Sequence, residues 1–173
     1  MRVIDRGQRR AATVGLMVLA ALAIALPALS ASVPFLVYNA SASAPLGFYR
    51  LVPGAIRRGD FALARLPDPV ARFAAARGYL PLSVLLVKRV AAVSGDRVCA
   101  GSSAIRINDQ AVALVLARDG QGRPLTAWQG CRTLADDEVF LLMAGASSSF
   151  DGRYFGPLPS SALIGRLVPL WTW

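Results

Sequence analysis

From residue 11 to residue 38 the chain carries no charge, and 22 of those 28 residues are apolar. The first 20 of them, residues 11–30, would span about 30 Å as a helix, the thickness of a hydrocarbon core. Pro27 falls near the far end of that helix, where a kink is tolerated. Arg2, Arg6, Arg9 and Arg10 precede the stretch. That asymmetry predicts an N-terminus held in the cytoplasm and a translocated remainder. Small residues at Ala28-Leu29-Ser30 and Ser30-Ala31-Ser32 would also suit a cleavable secretory signal. The apolar stretch is longer than a usual signal core, which favours an uncleaved anchor. The expected organisation is therefore a basic cytoplasmic tail over 1–10, a transmembrane signal anchor over 11–30, and one domain of 135 residues over 39–173. In a bacterial cell this places a single-pass protein in the inner membrane, with its domain in the periplasm.

The two cysteines, Cys99 and Cys131, are an even count in a translocated domain and predict a disulfide. Two buried thiols are the alternative.

The domain reads as mostly β. Strands are expected over 48–52, 60–66, 85–93, 105–107, 111–116, 138–143 and 163–170, with turn residues between them. Asn108-Asp109 is a two-residue hairpin signal. One helix is expected, with Asp68 as its N-cap, Pro69 at its first position and Gly78 as its stop. Short strands joined by turns favour a barrel or packed sheets over an α/β fold.

Composition removes whole classes of chemistry. The chain has no histidine, which excludes a Ser-His-Asp triad, a Cys-His pair and any His-ligated metal site. No metal and no cofactor are expected. The net charge is +9, yet beyond the first ten residues the basic side chains are scattered singly or in pairs. That pattern does not suit nucleic acid and fits an acidic membrane surface better. Against eighteen arginines there is one lysine, Lys88.

Strand alternation puts Lys88 on one face with Leu86, Val90 and Ala92. Burial disfavours an ammonium and lowers its pKa from about 10.4, which can make a general base near neutral pH. A lysine snorkelling from a barrel rim is the competing reading. A base needs a nucleophile, and three serine groups are candidates: Ser41 with Ser43, Ser94, and Ser147-Ser148-Ser149. Pro45 and Gly47 should keep the first group out of a regular strand, although a Ser/Ala linker would read similarly. Asp151 and Arg153, two apart, would share a face if extended and could pair.

Three segments together resemble the signal peptidase I superfamily. They are Asn39-x-Ser41-x-Ser43-x-Pro45-x-Gly47-x-Tyr49, Leu86-Val-Lys88-Arg89-Val90 running on to Gly95-Asp96-Arg97-Val98, and Ser149-Phe-Asp151-Gly-Arg153-Tyr154-Phe155-Gly156-Pro157. The similarity is closest to the plasmid-conjugation branch, the TraF-type maturation peptidases. It implies a coiled, partly closed β-sheet domain behind one N-terminal transmembrane helix. It also implies a Ser-Lys dyad, with Ser43 the nucleophile and Lys88 the base. The Ser43 N–H and the Ser41 hydroxyl would form the oxyanion hole. Ser149 would hydrogen-bond and orient Lys88, and Asp151 with Arg153 would hold the third segment against the dyad. The partner would be a precursor protein lying extended beside the site, most simply a conjugative pilin precursor, with ring closure of the pilin as an option. A general type I signal peptidase and an inactive membrane-tethered scaffold of a secretion apparatus are the alternatives. The sequence departs from the housekeeping enzymes at Ala44-Pro45, where Met-x-Pro is usual, and at Ser94, where proline precedes Gly-Asp. Ahead of the third segment, Ala144-Gly-Ala-Ser replaces the usual Gly-Asp-Asn-Arg. All three departures fit the plasmid branch.

Overall fold

The computed structural model describes residues 6–29, 34–101 and 103–173. The chain divides into two compact units, residues 1–34 and 35–173. The first contains one helix, α1 (Arg6–Leu29). Among the described residues no helix is long and apolar enough to cross a membrane. A helix does form here, but it begins at Arg6, within the tail expected over 1–10; residue 30 lies outside the described residues, and a role as a span rests on the sequence alone.

The second unit is mostly β, as expected. Its strands are β1 (Leu36–Asn39), β2 (Gly47–Val52), β3 (Phe61–Ala64), β4 (Leu86–Ala92), β5 (Arg97–Ala100), β6 (Ala104–Ile107), β7 (Gln110–Leu114), β8 (Gly130–Thr133), β9 (Glu138–Leu141), β10 (Leu158–Pro159) and β11 (Leu163–Thr172). Seven strands form one sheet in the order β1-β2-β11-β3-β4-β9-β10, every pair antiparallel. Register shifts on β11 and β4 mark bulges, which sharpen the twist of the sheet. The other four form a second sheet, β7-β6-β5-β8.

Alternation along β3 and β4 separates two cores. Ala62, Ala64, Leu86 and Val90 pack on one face with Leu141 and Leu158. Phe61, Leu63 and Val87 pack on the other with Ala44, Tyr49 and Leu167. A third cluster, with Val98, Ile105 and Phe140, joins the small sheet to the end of β4. Asn108 and Asp109 take positive φ, 47° and 67°, the conformation that a tight hairpin between β6 and β7 needs.

The predicted helix is α2 (Asp68–Ala76), but its N-cap is Pro67, one residue earlier than expected, and no side chain caps it. Gly78 follows at φ 71°, as a left-handed stop requires. Asp151 and Arg153 are not extended neighbours. Asp151 is the N-cap of a single helical turn, α3 (Gly152–Phe155), and accepts the Arg153 N–H. Cys99 and Cys131 are opposite one another on β5 and β8 and form the expected disulfide, with their Cα atoms 4.0 Å apart.

Candidate active site

The loop between β1 and β2 holds Ser41 and Ser43. It leaves the sheet where Pro45 cannot donate to a ladder and rejoins it at Gly47, whose φ is 131°. A Cβ at Gly47 would collide with the backbone of Trp171 on β11. The loop is then folded around one buried amide. Asn39 Nδ2 donates to the carbonyls of Ser41, Ala44 and Pro45 at 2.9, 3.1 and 3.0 Å. Asn39 Oδ1 accepts the Ser41 N–H at 3.2 Å. The Tyr49 hydroxyl donates to the Pro45 carbonyl at 2.7 Å. Tyr49 is fully buried, and burial raises its pKa, so the phenol remains a donor. These bonds satisfy backbone groups that no strand partner reaches.

Lys88 occupies the middle of β4, opposite Ala62 of β3, and is 3% exposed. Its Nζ donates to Ser43 Oγ at 2.5 Å. Ser43 Oγ lies 2.8 Å from Ser41 Oγ, and the Ser43 N–H points to Ser41 Oγ at 3.4 Å. Of the three serine groups, the first is the one that Lys88 reaches. Ser94 instead donates to Asp136 on an exposed turn. Burial lowers the Lys88 pKa to about 8. The Asp151 charge raises it and the Arg153 charge lowers it, and both act more weakly than desolvation.

Asp151 and Arg153 form an ion pair with both side chains fully buried, Arg153 Nε to Asp151 Oδ1 at 3.0 Å. Asp151 Oδ2 also accepts the Met143 N–H at 3.0 Å. Arg153 donates to the carbonyls of Met143, Ala146, Ser147 and Leu114 at 2.7 to 3.2 Å. The pair therefore sets the path of residues 143–147, the turn after β9. Ser149 is buried among these groups, but its Oγ makes no hydrogen bond to the protein. The expected Ser149–Lys88 bond is thus not made, since Lys88 directs its Nζ at Ser43.

The arrangement can activate a hydroxyl. A lysine at the border of neutrality lies within hydrogen-bond reach of a serine, with a second hydroxyl and an N–H beside it. No three metal-ligating side chains come together among the described residues. Sequence reasoning placed Asn39 and Tyr49 in the first motif but gave neither a role. The signal was an asparagine two residues before the first serine, at a position where an Asx side chain can bond the backbone ahead of it.

Comparison with known proteins identifies the family. Residues 8–172 match the family model described as signal peptidase, peptidase S26. The chain is 32% identical to "Plasmid transfer protein TraF" of Escherichia coli over 146 residues, covering 78% of this chain and 82% of that protein. It is 38% identical over 149 residues to "Probable conjugal transfer protein TraF" of Sinorhizobium fredii, covering 78% and 76%. A solved signal peptidase I of Enterococcus faecalis V583 superposes with a TM-score of 0.41 at 19% identity, covering 66% of this chain and 98% of that one. With nearly its whole length matched and its relatives close in sequence, the chain belongs to the signal peptidase family, peptidase S26.

Proposed function

We propose that the chain is a membrane-anchored serine endopeptidase in which Ser43 is the nucleophile and Lys88 the general base. The observation that carries this reading is the 2.5 Å contact between Nζ and Oγ in a site that leaves Lys88 almost no water. Neutral Lys88 takes the Ser43 proton as Oγ adds to the scissile carbonyl. The carbonyl oxygen, now an anion, receives the Ser43 N–H and the Ser41 hydroxyl. Such donors are typically worth about 3–4 kcal/mol each in the transition state. On collapse the Lys88 ammonium protonates the leaving amine, and the acyl group stays on Ser43. Water then attacks the ester, with Lys88 again taking the proton, and Ser43 is regenerated.

The substrate proposed is a conjugative pilin precursor. Support comes from the names of the relatives, which are conjugal or plasmid transfer proteins. Ring closure replaces water with an amine of the same pilin chain, so the cyclic product is lighter by one water than the hydrolysed one. Intact-mass analysis of the pilin separates the two. The anchor over 11–30 and the periplasmic location of the domain belong to the same proposal. They are supported by the uncharged stretch behind four arginines, and by a disulfide that an oxidising compartment favours. A mature N-terminus near residue 31 would overturn the anchor.

The test is processing of a pilin precursor by wild type, Ser43→Ala, Lys88→Ala and Ser41→Ala at matched protein levels. Precursor should accumulate with the first two variants, and Ser41→Ala should be slow but active. Processing by Ser43→Ala would overturn the nucleophile assignment and favour the scaffold reading. Accumulation of many preproteins on depletion would favour a general signal peptidase.

A further inference from the structure

A cleft of about 670 Å³ opens beside the loop that carries Ser43. Three of its walls come from segments that bear or brace the proposed dyad. Pro45 belongs to the loop folded around Asn39. Arg89 follows Lys88 on β4, and its carbonyl accepts the Leu142 N–H. Met143, Ala144 and Gly145 lie in the turn whose path Arg153 sets.

The charge of this lining has one sign. Its ionic side chains are Arg58 and Arg89, and no carboxylate lines it among the described residues. Arg58 is matched from behind: it pairs with Asp96, which also accepts from Asn108 and the Val93 N–H. Arg89 differs. Its guanidinium lies 4.2 Å over the Phe61 ring, and Nη1 donates to the Gly59 carbonyl at 2.5 Å. No carboxylate is within ion-pair distance of it among the described residues. Ring and carbonyl hold the group in place without neutralising it. A planar cation fixed this way retains donors for a bidentate acceptor at little further entropic cost.

We infer that this cleft receives a carboxylate-bearing segment of the precursor chain, and that Arg89 reads it. The inference deepens the peptidase reading and rests on it. Arg89 is a specificity residue in this account and takes no part in bond making. A chain with an acidic side chain near its cleavage point is held there. A chain with an amide at the same place is held less well.

The test measures binding, so it needs no turnover. Full-length Ser43→Ala protein in detergent is titrated with a fluorescent peptide of alternating alanine and glutamate, and with its glutamine twin. At low salt the acidic peptide should bind about fivefold or more tightly than the twin, and salt should erode the difference. Arg89→Gln in the same background should reduce the ratio to about one, while Arg89→Lys, which keeps the charge but loses the planar fork and the stacking, should retain only part of it. Arg65→Gln, which removes an exposed charge elsewhere, should leave the ratio unchanged. Thermal unfolding of each variant separates loss of the cation from loss of the fold. Equal binding of the two peptides, or a ratio that survives Arg89→Gln, would overturn the proposal. Failure of the peptidase reading shows elsewhere, as processing that persists in Ser43→Ala.

Discussion

At the scale of single residues, the site depends on two buried polar groups with opposite tasks. Asn39 satisfies backbone atoms, and Lys88 is deprived of water. Asn39 joins three carbonyls and one N–H of the Ser41–Ser43 loop through one side chain. Asn39→Ala removes all four bonds while leaving Ser43 and Lys88 in the chain. Turnover should fall about ten- to a hundredfold with little change in KM, because loop geometry controls the chemical step more than substrate capture. Asn39→Asp should be worse than alanine, since it turns a second oxygen toward three carbonyls. Steady-state kinetics of the two variants checks the order. For Lys88, a pKa near 8 means that the base is the minority form at neutral pH. The single-turnover rate should rise with pH and level off above about 8. The stability sign follows from the same value. Between the folded pKa near 8 and the unfolded value of about 10.4, the unfolded state binds more protons. The contribution of Lys88 to stability therefore rises with pH across that window, and the cost of its burial is greatest below it.

At the scale of elements, the turn after β9 and the single turn of α3 act as one brace. Asp151 is both the cap of α3 and the counter-ion of Arg153, and Arg153 fastens the turn over 143–147. Asp151→Asn would leave a buried guanidinium unpaired, which typically costs about 3–5 kcal/mol. It would also remove the charge that raises the Lys88 pKa and retain the one that lowers it. The midpoint of the pH-rate profile should therefore move to lower pH in whatever folded protein remains. A midpoint that moves up would show that Asp151 does not act on Lys88 through its charge. The elements also show where sequence reading stops. Strong patterns such as residues 85–93 and the Asn108-Asp109 hairpin were legible because alternation and turn chemistry are local. β1, β5, β8 and β10 were not foreseen. β8 is exposed along its whole length, so no apolar period marks it, and it is a strand because β5 offers it an edge. The pairing of Asp151 with Arg153 was legible, but its geometry was not. An extended pair and a capped turn place the same residues two apart, and only the carbonyls of the preceding turn decide between them. The contact between Ser43 and Lys88 was legible only through resemblance, because 45 residues separate the two and no local pattern links them.

At the scale of the whole molecule, the seven-stranded sheet carries Lys88 and the loop with Ser43, and the smaller sheet carries the disulfide. The two are joined through the cluster around Val98 and Phe140, at the end of the strand that bears Lys88. The bridge closes a loop with a sequence separation of 32 within the small sheet. On the chain-entropy account a loop of that length contributes roughly 3–4 kcal/mol, and replacing both cysteines by serine should lower Tm by on the order of 10 °C. Because Lys88 and the Ser43 loop belong to the other sheet, the double variant should keep its turnover at temperatures where it remains folded. Loss of activity in step with unfolding is the expected result, read by following Tm and kcat together. A fall in kcat well below the unfolding range would show instead that the small sheet holds β4, and so Lys88, in its working position.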